Sequence, residues 1–207
     1  MAICGDICTI VHKVNNEAMG RDVEANKRGS RPPNDPERRD RIIEATLVTI
    51  AKLGVADTSH RRIAEVAGVP LGSLTYYFKG LDDIIGAAFE RLAEQVSGRF
   101  TKVLSEARDK QEARSAIVSF LSEISERKQN EMMLSYELYA YASRRPALKP
   151  IMLGWMAASR TALELHFTPP QARALDAMIE GVTIHNTTSP DLIRREEIAG
   201  LIDKLSE

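Results

Sequence analysis

Residues 58–78 carry the pattern that most limits how this chain can fold. Ser59 is a helix-capping residue, and Ile63 and Ala67 give the short helix that follows one apolar side. Gly68 stands just past that side, where glycine supplies the left-handed conformation that turns a chain. A second apolar side then returns at three-to-four spacing, at Val69, Leu74, Tyr77 and Phe78. The pattern predicts a helix-turn-helix, two short helices that fit the major groove of DNA.

Two arginines favour DNA binding over the simpler alternative, a helical hairpin inside a bundle. Arg61 and Arg62 lie in the first turn of the first motif helix, where the helix macrodipole disfavours cations by about 0.3–1 kcal/mol each. A docked phosphate would reverse that penalty. The net charge of the whole chain is −1, but the segment from Lys27 to Lys79 has ten basic and six acidic residues, which gives +4 there and −5 elsewhere. Positive charge is therefore gathered around the motif.

Helical periodicity continues on both sides of the motif. The preceding helix opens at Asp35-Pro36 and ends at Gly54, and a long helix follows Gly80. Further helices are predicted over residues 110–128, 130–143, 147–166, 170–187 and 191–206, and no alternation typical of strands appears. The predicted fold class is all-α, with an N-terminal three-helix helix-turn-helix domain and a helical-bundle regulatory and dimerisation domain.

The chain is expected to have three segments: a flexible basic arm over residues 1–33, a DNA-binding domain over 34–80, and a ligand-binding and dimerisation domain over 81–207. The arm is either a solvated tail or a minor-groove contact made by Arg28 and Arg31. Residues before Met19 could be disordered, or Met19 could be the initiator. The apolar residues between Ile3 and Val11 are too few and too interrupted for a signal peptide.

Composition argues against several other classes of protein. A hydrophobic content of 43% with 28% charged residues is ordinary for a soluble globular protein, and no run of eighteen apolar residues suggests a membrane span. Cys4 and Cys8 are the only cysteines, which favours a reduced cytoplasm. The four histidines are scattered, and no metal spacing, phosphate loop or nucleophile motif appears. We therefore expect no enzyme activity, no metal and no cofactor.

The helix-turn-helix belongs to a larger set of matching positions. These are an arginine-rich opening followed by Ile42-Ile43-x-Ala45, Gly54, Thr58-Ser59-x-Arg61-x-Ile63-Ala64, Ala67-Gly68-Val69, Gly72-Ser73-Leu74, Tyr77-Phe78 and Ile84. Residues 36–85 thereby resemble the DNA-binding domain of the TetR family of bacterial transcriptional regulators. The resemblance implies a ligand pocket, ligand-controlled release of DNA and a four-helix dimer interface.

A narrower similarity extends over the whole chain. It is carried by Gly68-Val69-Pro70-Leu71-Gly72-Ser73, Thr75-Tyr76-Tyr77-Phe78, Leu138-Tyr139-Ala140, Ala142-Ser143-Arg144 and Ala174-Leu175-Asp176-Ala177. On these segments the chain is similar to the TetR-type regulators of curli and biofilm genes in enteric bacteria. Three positions depart from the family, which commonly has Tyr, His and Lys where this chain has Thr75, Tyr76 and Leu81. Lys79 is then the candidate for the missing phosphate-binding lysine.

The predicted DNA-binding residues are the motif side chains that packing does not need. None of those on the second motif helix is Arg, Asn or Gln, so direct base reading is expected to be modest. Hydroxyl groups can bind phosphates, and Leu71 or the Thr75 methyl can touch a thymine methyl. The full set is Arg28, Arg31, Ser59, His60, Arg61, Leu71, Gly72, Ser73, Thr75, Tyr76 and Lys79.

Aromatic and methionine side chains are concentrated between residues 120 and 156, and they are either plain core or the wall of a ligand pocket. The predicted pocket residues are Phe120, Met133, Tyr136, Tyr139, Met152, Trp155 and Met156. The resemblance to the TetR family implies that the last two helices form the dimer interface. Gly181 costs about 1 kcal/mol in mid-helix unless close packing uses it, and a tight helix crossing is one such use. The predicted interface residues are Leu175, Met178, Gly181, Val182, Leu201 and Leu205.

The sequence therefore predicts a ligand-responsive transcriptional regulator, acting as a homodimer on a palindromic operator and repressing its target genes. Its expected partners are double-stranded DNA, a small and largely apolar effector, and a second copy of the chain, with no membrane. The alternative is an architectural or activating DNA-binding protein without a small-molecule effector. A filled regulatory core would favour that alternative.

Overall fold

The structure is a computed structural model that describes residues 35, 37–123 and 126–207, the last range without the side chains of 126 and 127. The described residues form helices and connecting turns and contain no strand, which confirms the all-α prediction. They divide into two compact units, with the boundary after Ala88. That boundary lies inside a long helix, whereas the sequence placed it before residue 81. The predicted domain limits of 1–33, 34–80 and 81–207 stay a prediction.

The first unit begins with three helices, α1 (Arg38–Leu53), α2 (His60–Ala67) and α3 (Leu71–Tyr77), and the long helix α4 (Leu81–Ser105) starts within it. α1 begins later than its predicted start at Asp35-Pro36, and Pro36 lies outside the described residues. The Asp35 carboxylate accepts the backbone N–H of Glu37 at 3.1 Å and pairs with Arg41 at 2.7 Å. Asp35 therefore stabilises the turn before the helix. Gly54 ends α1 with a φ of 75°, as predicted.

The core of the first unit comes from the apolar sides that the sequence pattern marked. Ile42 and Ile50 of α1, Ile63 of α2 and Leu74 of α3 are each at most 1% exposed. Burial of side chains of this size contributes about 1.5–3 kcal/mol each. α2 packs on α1 and on α3, which holds the two motif helices in place and leaves their other faces to solvent.

The second unit contains the rest of α4 and five further helices: α5 (Lys110–Ser122), α6 (Glu126–Ser143), α7 (Lys149–Leu163), α8 (Pro169–Thr188) and α9 (Arg195–Leu205). Most bounds lie close to the predicted ones, but α5 ends at Ser122 rather than at 128. A 3-10 turn, Pro146–Leu148, precedes α7. α9 begins at Arg195 rather than at 191, because the Glu197 carboxylate accepts the backbone N–H of Arg194 at 2.8 Å and fixes the start there.

α9 is packed against α5, and α7 against α8. Leu104, Ile117, Leu163 and Ile202 are all fully buried in one apolar cluster of this unit. Arg114 of α5 holds the residue that follows α9. Its Nε donates to the Ser206 hydroxyl and its Nη2 to the Ser206 carbonyl, both at 2.7 Å. Within the described residues, no helix combines the length and the apolar character needed to cross a membrane.

Candidate nucleic-acid interface and ligand cavity

Local interactions that the sequence indicated fix the two ends of α2. The Ser59 hydroxyl accepts the backbone N–H of Arg62 at 3.4 Å at the start of α2. At the other end Gly68 takes the left-handed conformation, with a φ of 63°, and the N–H of Val69 donates to the carbonyl of Ala64 at 3.0 Å. These two predictions are confirmed, and together they fix where α3 starts.

The outward face of α3 is largely exposed to solvent, and its Tyr76 ring meets the Tyr77 ring edge-to-face with the ring centres 4.9 Å apart. Leu71 is 53% exposed and Tyr76 73% exposed on a helix of only seven residues. Gly72 is exposed as well, and a Cβ at this position would meet no atom within 4 Å. Large apolar side chains left exposed on one short helix favour an interaction surface. Gly72 additionally lets the backbone approach a partner closely.

The hydroxyl of Thr75, which the sequence assigned to a phosphate, is already in use. Its Oγ1 donates to the carbonyl of Gly72 at 3.1 Å, as threonine hydroxyls in helices commonly do. The exposed Thr75 methyl group remains available for a contact with a thymine methyl. Ser73 is half-buried, so Tyr76 presents the most accessible hydroxyl of α3.

The two arginines of α2 differ in their surroundings. The Arg62 guanidinium donates to the backbone carbonyl of Asp57, so this side chain holds the loop before the helix. Arg61 is exposed, and within the part of the chain that the structure describes it forms no hydrogen bond or ion pair. His60 beside it is half-exposed. Arg61 is therefore the cation of this helix that can bind a partner at no internal cost.

Lys79 lies between α3 and α4, with an exposed side chain. Its backbone N–H donates to the Asp83 carboxylate at 2.9 Å. The chain is thus fixed where Lys79 leaves α3, while its ammonium group stays accessible. Arg28 and Arg31, the predicted contacts of the basic arm, lie outside the described residues.

The second unit contains a cavity of about 120 Å³ between α4, α5, α6, α7 and α8. Five of the seven predicted pocket residues line it: Phe120, Tyr136, Tyr139, Trp155 and Met156. Met133 and Met152 do not, and the prediction is wrong for both. Met133 is 51% exposed, and Met132 faces the cavity in its place, because successive residues of a helix point about 100° apart.

A second hollow of about 500 Å³ is lined by residues of α5, α6, α8 and α9 and of the segment before α9. Its lining is more polar and includes Asn186, Arg194 and Arg195. It contains none of the seven predicted pocket residues. The Asn186 side chain spans part of its wall, accepting the N–H of Ile193 at 2.7 Å and donating to the carbonyl of the same residue at 3.2 Å.

Acidic residues also line the 120 Å³ cavity, and sequence reasoning missed them. Glu131 pairs with Arg99 at 2.6 Å, and Asp176 pairs with Arg160 at 2.9 Å. Glu180 accepts a hydrogen bond from the Tyr139 hydroxyl. The sequence did contain a signal, since Asp176 and Glu180 are four residues apart on α8 and so lie on one face of it, beside the apolar residues Leu175 and Ile179.

Two tyrosine hydroxyl groups reach this cavity in different states. Burial, together with the hydrogen bond to Glu180, raises the pKa of Tyr139, so its hydroxyl remains the donor to the carboxylate. Burial also raises the pKa of Tyr136. The Tyr136 hydroxyl is buried and has no hydrogen-bond partner among the described residues. Such an unpaired group costs about 1–3 kcal/mol, which a suitable ligand atom would relieve.

The aromatic wall of the cavity already holds a cation. The rings of Phe100 and Phe120 lie 5.1 Å apart. The Lys128 ammonium group lies 4.5 Å from the centre of the Phe120 ring and donates to the Phe120 carbonyl. Within the described residues, no group of three or more His, Cys, Asp or Glu side chains could hold a metal ion.

The predicted dimer residues fall into two groups. Leu175 and Val182 are 0% and 3% exposed and belong to the core of the second unit, so they have no surface to offer a partner. That part of the prediction is corrected: both face inward on α8, toward the other helices of their own chain. Met178, Gly181 and Leu205 are half-buried, and Leu201 is 39% exposed.

The structure adds two exposed apolar residues to the surface that could meet a partner. Leu153 of α7 is 58% exposed and Ile184 of α8 is 42% exposed. A Cβ at Gly181 would meet no atom of the described residues within 4 Å, so packing among these residues does not require a glycine there.

Comparisons with known proteins agree with this geometry. Residues 90–207 match the model of the C-terminal domain of tetracyclin repressor-like proteins. The candidate transcriptional regulator SCO7518 of Streptomyces coelicolor A3(2) is 43% identical with a TM-score of 0.78, and the match covers 83% of this chain and 99% of that one. The multidrug-binding protein EbrR, in complex with ethidium, is 32% identical with a TM-score of 0.71, over 83% of this chain and 99% of that one. The transcriptional regulator BetI 1 of Chromohalobacter salexigens is 28% identical over 179 residues, which are 79% of this chain and 87% of that protein.

Proposed function

Because this chain belongs to the tetracycline-repressor-like (TetR) family of transcriptional regulators, we propose that it is a ligand-responsive repressor that binds a palindromic operator as a homodimer. The observation that carries the proposal is the outward face of α3. It exposes Leu71, Gly72 and Tyr76, and the exposed Arg61 of α2 forms no hydrogen bond or ion pair with the described residues. Operator binding places the protein in the cytoplasm, where the DNA is.

Each DNA contact follows from the chemistry of the exposed group. Arg61 and Lys79 bind phosphates, and Tyr76 donates its hydroxyl to a phosphate oxygen. Ser59 and His60 support them at the start of α2, where a phosphate also offsets the helix dipole. Leu71 and Thr75 contact thymine methyl groups, while Gly72 and Ser73 let the backbone approach the groove. Arg28 and Arg31 of the arm enter the adjacent minor groove.

Dimerisation supplies the two-fold symmetry that a palindromic operator requires. The surface that fits this role contains Met178, Gly181 and Ile184 of α8, with Leu153 of α7. The opening at Gly181 lets the helices of two copies approach closely, which accounts for a glycine that costs about 1 kcal/mol in mid-helix. Leu201 and Leu205 of α9 extend the predicted interface.

The cavity favours a ligand-responsive regulator over an architectural protein without an effector. An apolar wall with a few polar groups is the usual form of a small-molecule site, and here Trp155, Met156 and Phe120 form such a wall. Met133 and Met152 take no part in it. The relative EbrR has been solved with ethidium and also with imidazole, and by analogy we assign a small aromatic effector to this chain.

The long helix α4 offers a physical route from the cavity to the operator. It starts in the first unit, directly after Lys79 and Gly80, and contributes Val96 and Phe100 to the wall of the cavity. A ligand that displaces α4 changes the separation of the two α3 helices in the dimer, whereas operator half-sites have a fixed spacing. A coupling of about 1–3 kcal/mol would lower the operator affinity roughly 5- to 150-fold.

The target genes are a separate question. The similarity to TetR-type regulation of curli and biofilm genes stays a prediction, because the relatives described above include a BetI regulator and a multidrug-binding protein. Selection of genomic DNA fragments by the purified protein tests both the proposal and the target genes. Wild-type protein is expected to enrich a small set of fragments that share an inverted repeat. The double variant Arg61→Ala, Tyr76→Phe is the control, and the proposal is wrong if it enriches the same fragments equally well.

A further inference from the structure

We propose that the cavity selects a flat, single-ring aromatic monocation and that the Glu180 carboxylate is the group that recognises its charge. The inference rests on the proposed function, because it names the ligand class of the proposed effector site. Three features of the cavity wall support it within the described residues: one carboxylate without a basic partner, aromatic side chains in the same wall, and a tyrosine hydroxyl without a hydrogen-bond partner.

Glu180 differs from the other two acidic residues of the wall in the partner that it binds. Glu131 is neutralised by Arg99 at 2.6 Å, and Asp176 by Arg160 at 2.9 Å. Glu180 has the Tyr139 hydroxyl as its partner and, within the described part of the chain, no ion pair. A hydroxyl donor fixes the position of the carboxylate without cancelling its charge. Glu180 therefore keeps its negative charge at a defined place in the wall, while the Lys128 ammonium is held at the Phe120 ring.

The aromatic side chains around this carboxylate suit a cation as well. Tyr139 and Trp155 line the same cavity, and ring faces attract cations that lie within about 6 Å of the ring centre. Phe120 already binds one, since the Lys128 ammonium lies 4.5 Å from the centre of its ring. A neutral aromatic ligand would gain the apolar contacts alone, whereas a cationic one gains these contacts and the attraction of Glu180.

The size of the cavity and the Tyr136 hydroxyl restrict the ligand further. A cavity of about 120 Å³ is comparable to the engineered cavity of about 150 Å³ that holds one benzene molecule. The buried Tyr136 hydroxyl has no partner among the described residues, so a ligand nitrogen or oxygen can pair with it. A ring that carries a planar cationic group with several N–H donors offers a donor to each of Tyr136 and Glu180, which line the same cavity.

Benzamidinium and benzamide form the probe pair that tests charge recognition. Both are flat, single-ring and soluble, and they differ chiefly in charge. Binding is measured by calorimetry and by the fluorescence of Trp155, which lines the cavity and is the single tryptophan of the sequence. We expect wild-type protein to bind benzamidinium at least about tenfold more tightly than benzamide. A hydrogen bond to a charged group is stronger than a neutral one, and the difference in energy corresponds to about tenfold in affinity.

Glu180→Gln is the matched variant, because glutamine can still accept the Tyr139 hydrogen bond but has no charge. It is expected to reduce the benzamidinium affinity about tenfold and to leave the benzamide affinity within about threefold. Glu164→Gln, at an exposed position after α7, makes the same change in net charge and should retain the preference. Equal binding of the two probes by wild type, a preference that survives Glu180→Gln, or the absence of saturable binding by both probes would each overturn the inference.

Failure of this inference can be told apart from failure of the proposed function. Operator binding by Glu180→Gln is measured without any ligand, and it should equal that of wild type because Glu180 lies in the second unit, away in sequence from the helix-turn-helix. If operator binding is intact and the charge preference is absent, only the ligand class is wrong. If wild-type protein binds no operator, the proposed function fails, whichever probe binds the cavity.

Discussion

Replacement of Arg61 by alanine should separate DNA affinity from fold stability. Arg61 is exposed and unpaired within the described residues, and it lies in the first turn of α2, where a cation is disfavoured by about 0.3–1 kcal/mol. Its removal is therefore expected to leave the free energy of unfolding unchanged or slightly higher. Arg62 differs, because its guanidinium bonds the Asp57 carbonyl, so Arg62→Ala should lower the stability of the motif.

The expected effect on DNA binding depends on salt. Each phosphate contact contributes about −0.9 to the slope of log affinity against log salt concentration. A dimer loses two contacts in Arg61→Ala, so the slope should become less steep by about 1.8. Between 50 and 200 mM salt, the ratio of wild-type to variant affinity should then shrink by about twelvefold.

Fluorescence anisotropy with a labelled operator, at four or more salt concentrations, measures this slope. Arg173→Ala is the control, because Arg173 is an exposed arginine of α8 in the second unit, and its loss makes the same change in net charge. The control should keep the wild-type slope. An Arg61→Ala protein with unchanged affinity and slope would refute the assignment of Arg61 to a phosphate.

Four further predictions follow from the same geometry. Gly72→Ala should reduce operator affinity about tenfold, which is about 1.4 kcal/mol, without lowering the melting temperature, because its Cβ enters open space in the free protein. Gly181→Arg should give monomers in sedimentation velocity, whereas Gly98→Arg, at an equally open position of α4, should stay dimeric. Trp155→Ala should blunt operator release by benzamidinium and leave ligand-free DNA binding intact in anisotropy titrations. Deletion of residues 1–31 should weaken binding mainly to operators with A·T-rich flanks, and equal binding to G·C-rich flanks would leave the arm as a solvated tail.

The helix-turn-helix could be predicted from sequence because local interactions determine it. Ser59 caps α2 through a backbone N–H three residues away, and Gly68 ends it with a left-handed conformation that other residues adopt only at a cost. The apolar spacing then places Ile63 and Leu74 in the core. The hydroxyl of Thr75 is also subject to a local interaction, because the nearby carbonyl of Gly72 competes for it.

The cavity could be located from sequence only in part, because it depends on how several helices pack. A cluster of aromatic and methionine residues pointed to the right segments, but only the packed helix shows that Met132 faces inward and Met133 outward. Ionic partners lie far apart in sequence, as with Arg99 and Glu131. Periodicity shows that Leu175 lies on an apolar face of its helix, but only the packed structure shows that this face meets the core of its own chain.

The mass of the complex formed with a selected operator tests the central claim most directly. Analytical ultracentrifugation of the protein with the full inverted repeat, and with a duplex that holds one half-site, measures how many copies bind each DNA. Two copies are expected on the full repeat, with the single half-site bound at least about a hundredfold more weakly, because half of the phosphate and base contacts are lost. One copy per duplex, with equal affinity for the half-site and the full repeat, would contradict a dimeric regulator that reads its operator through two α3 helices.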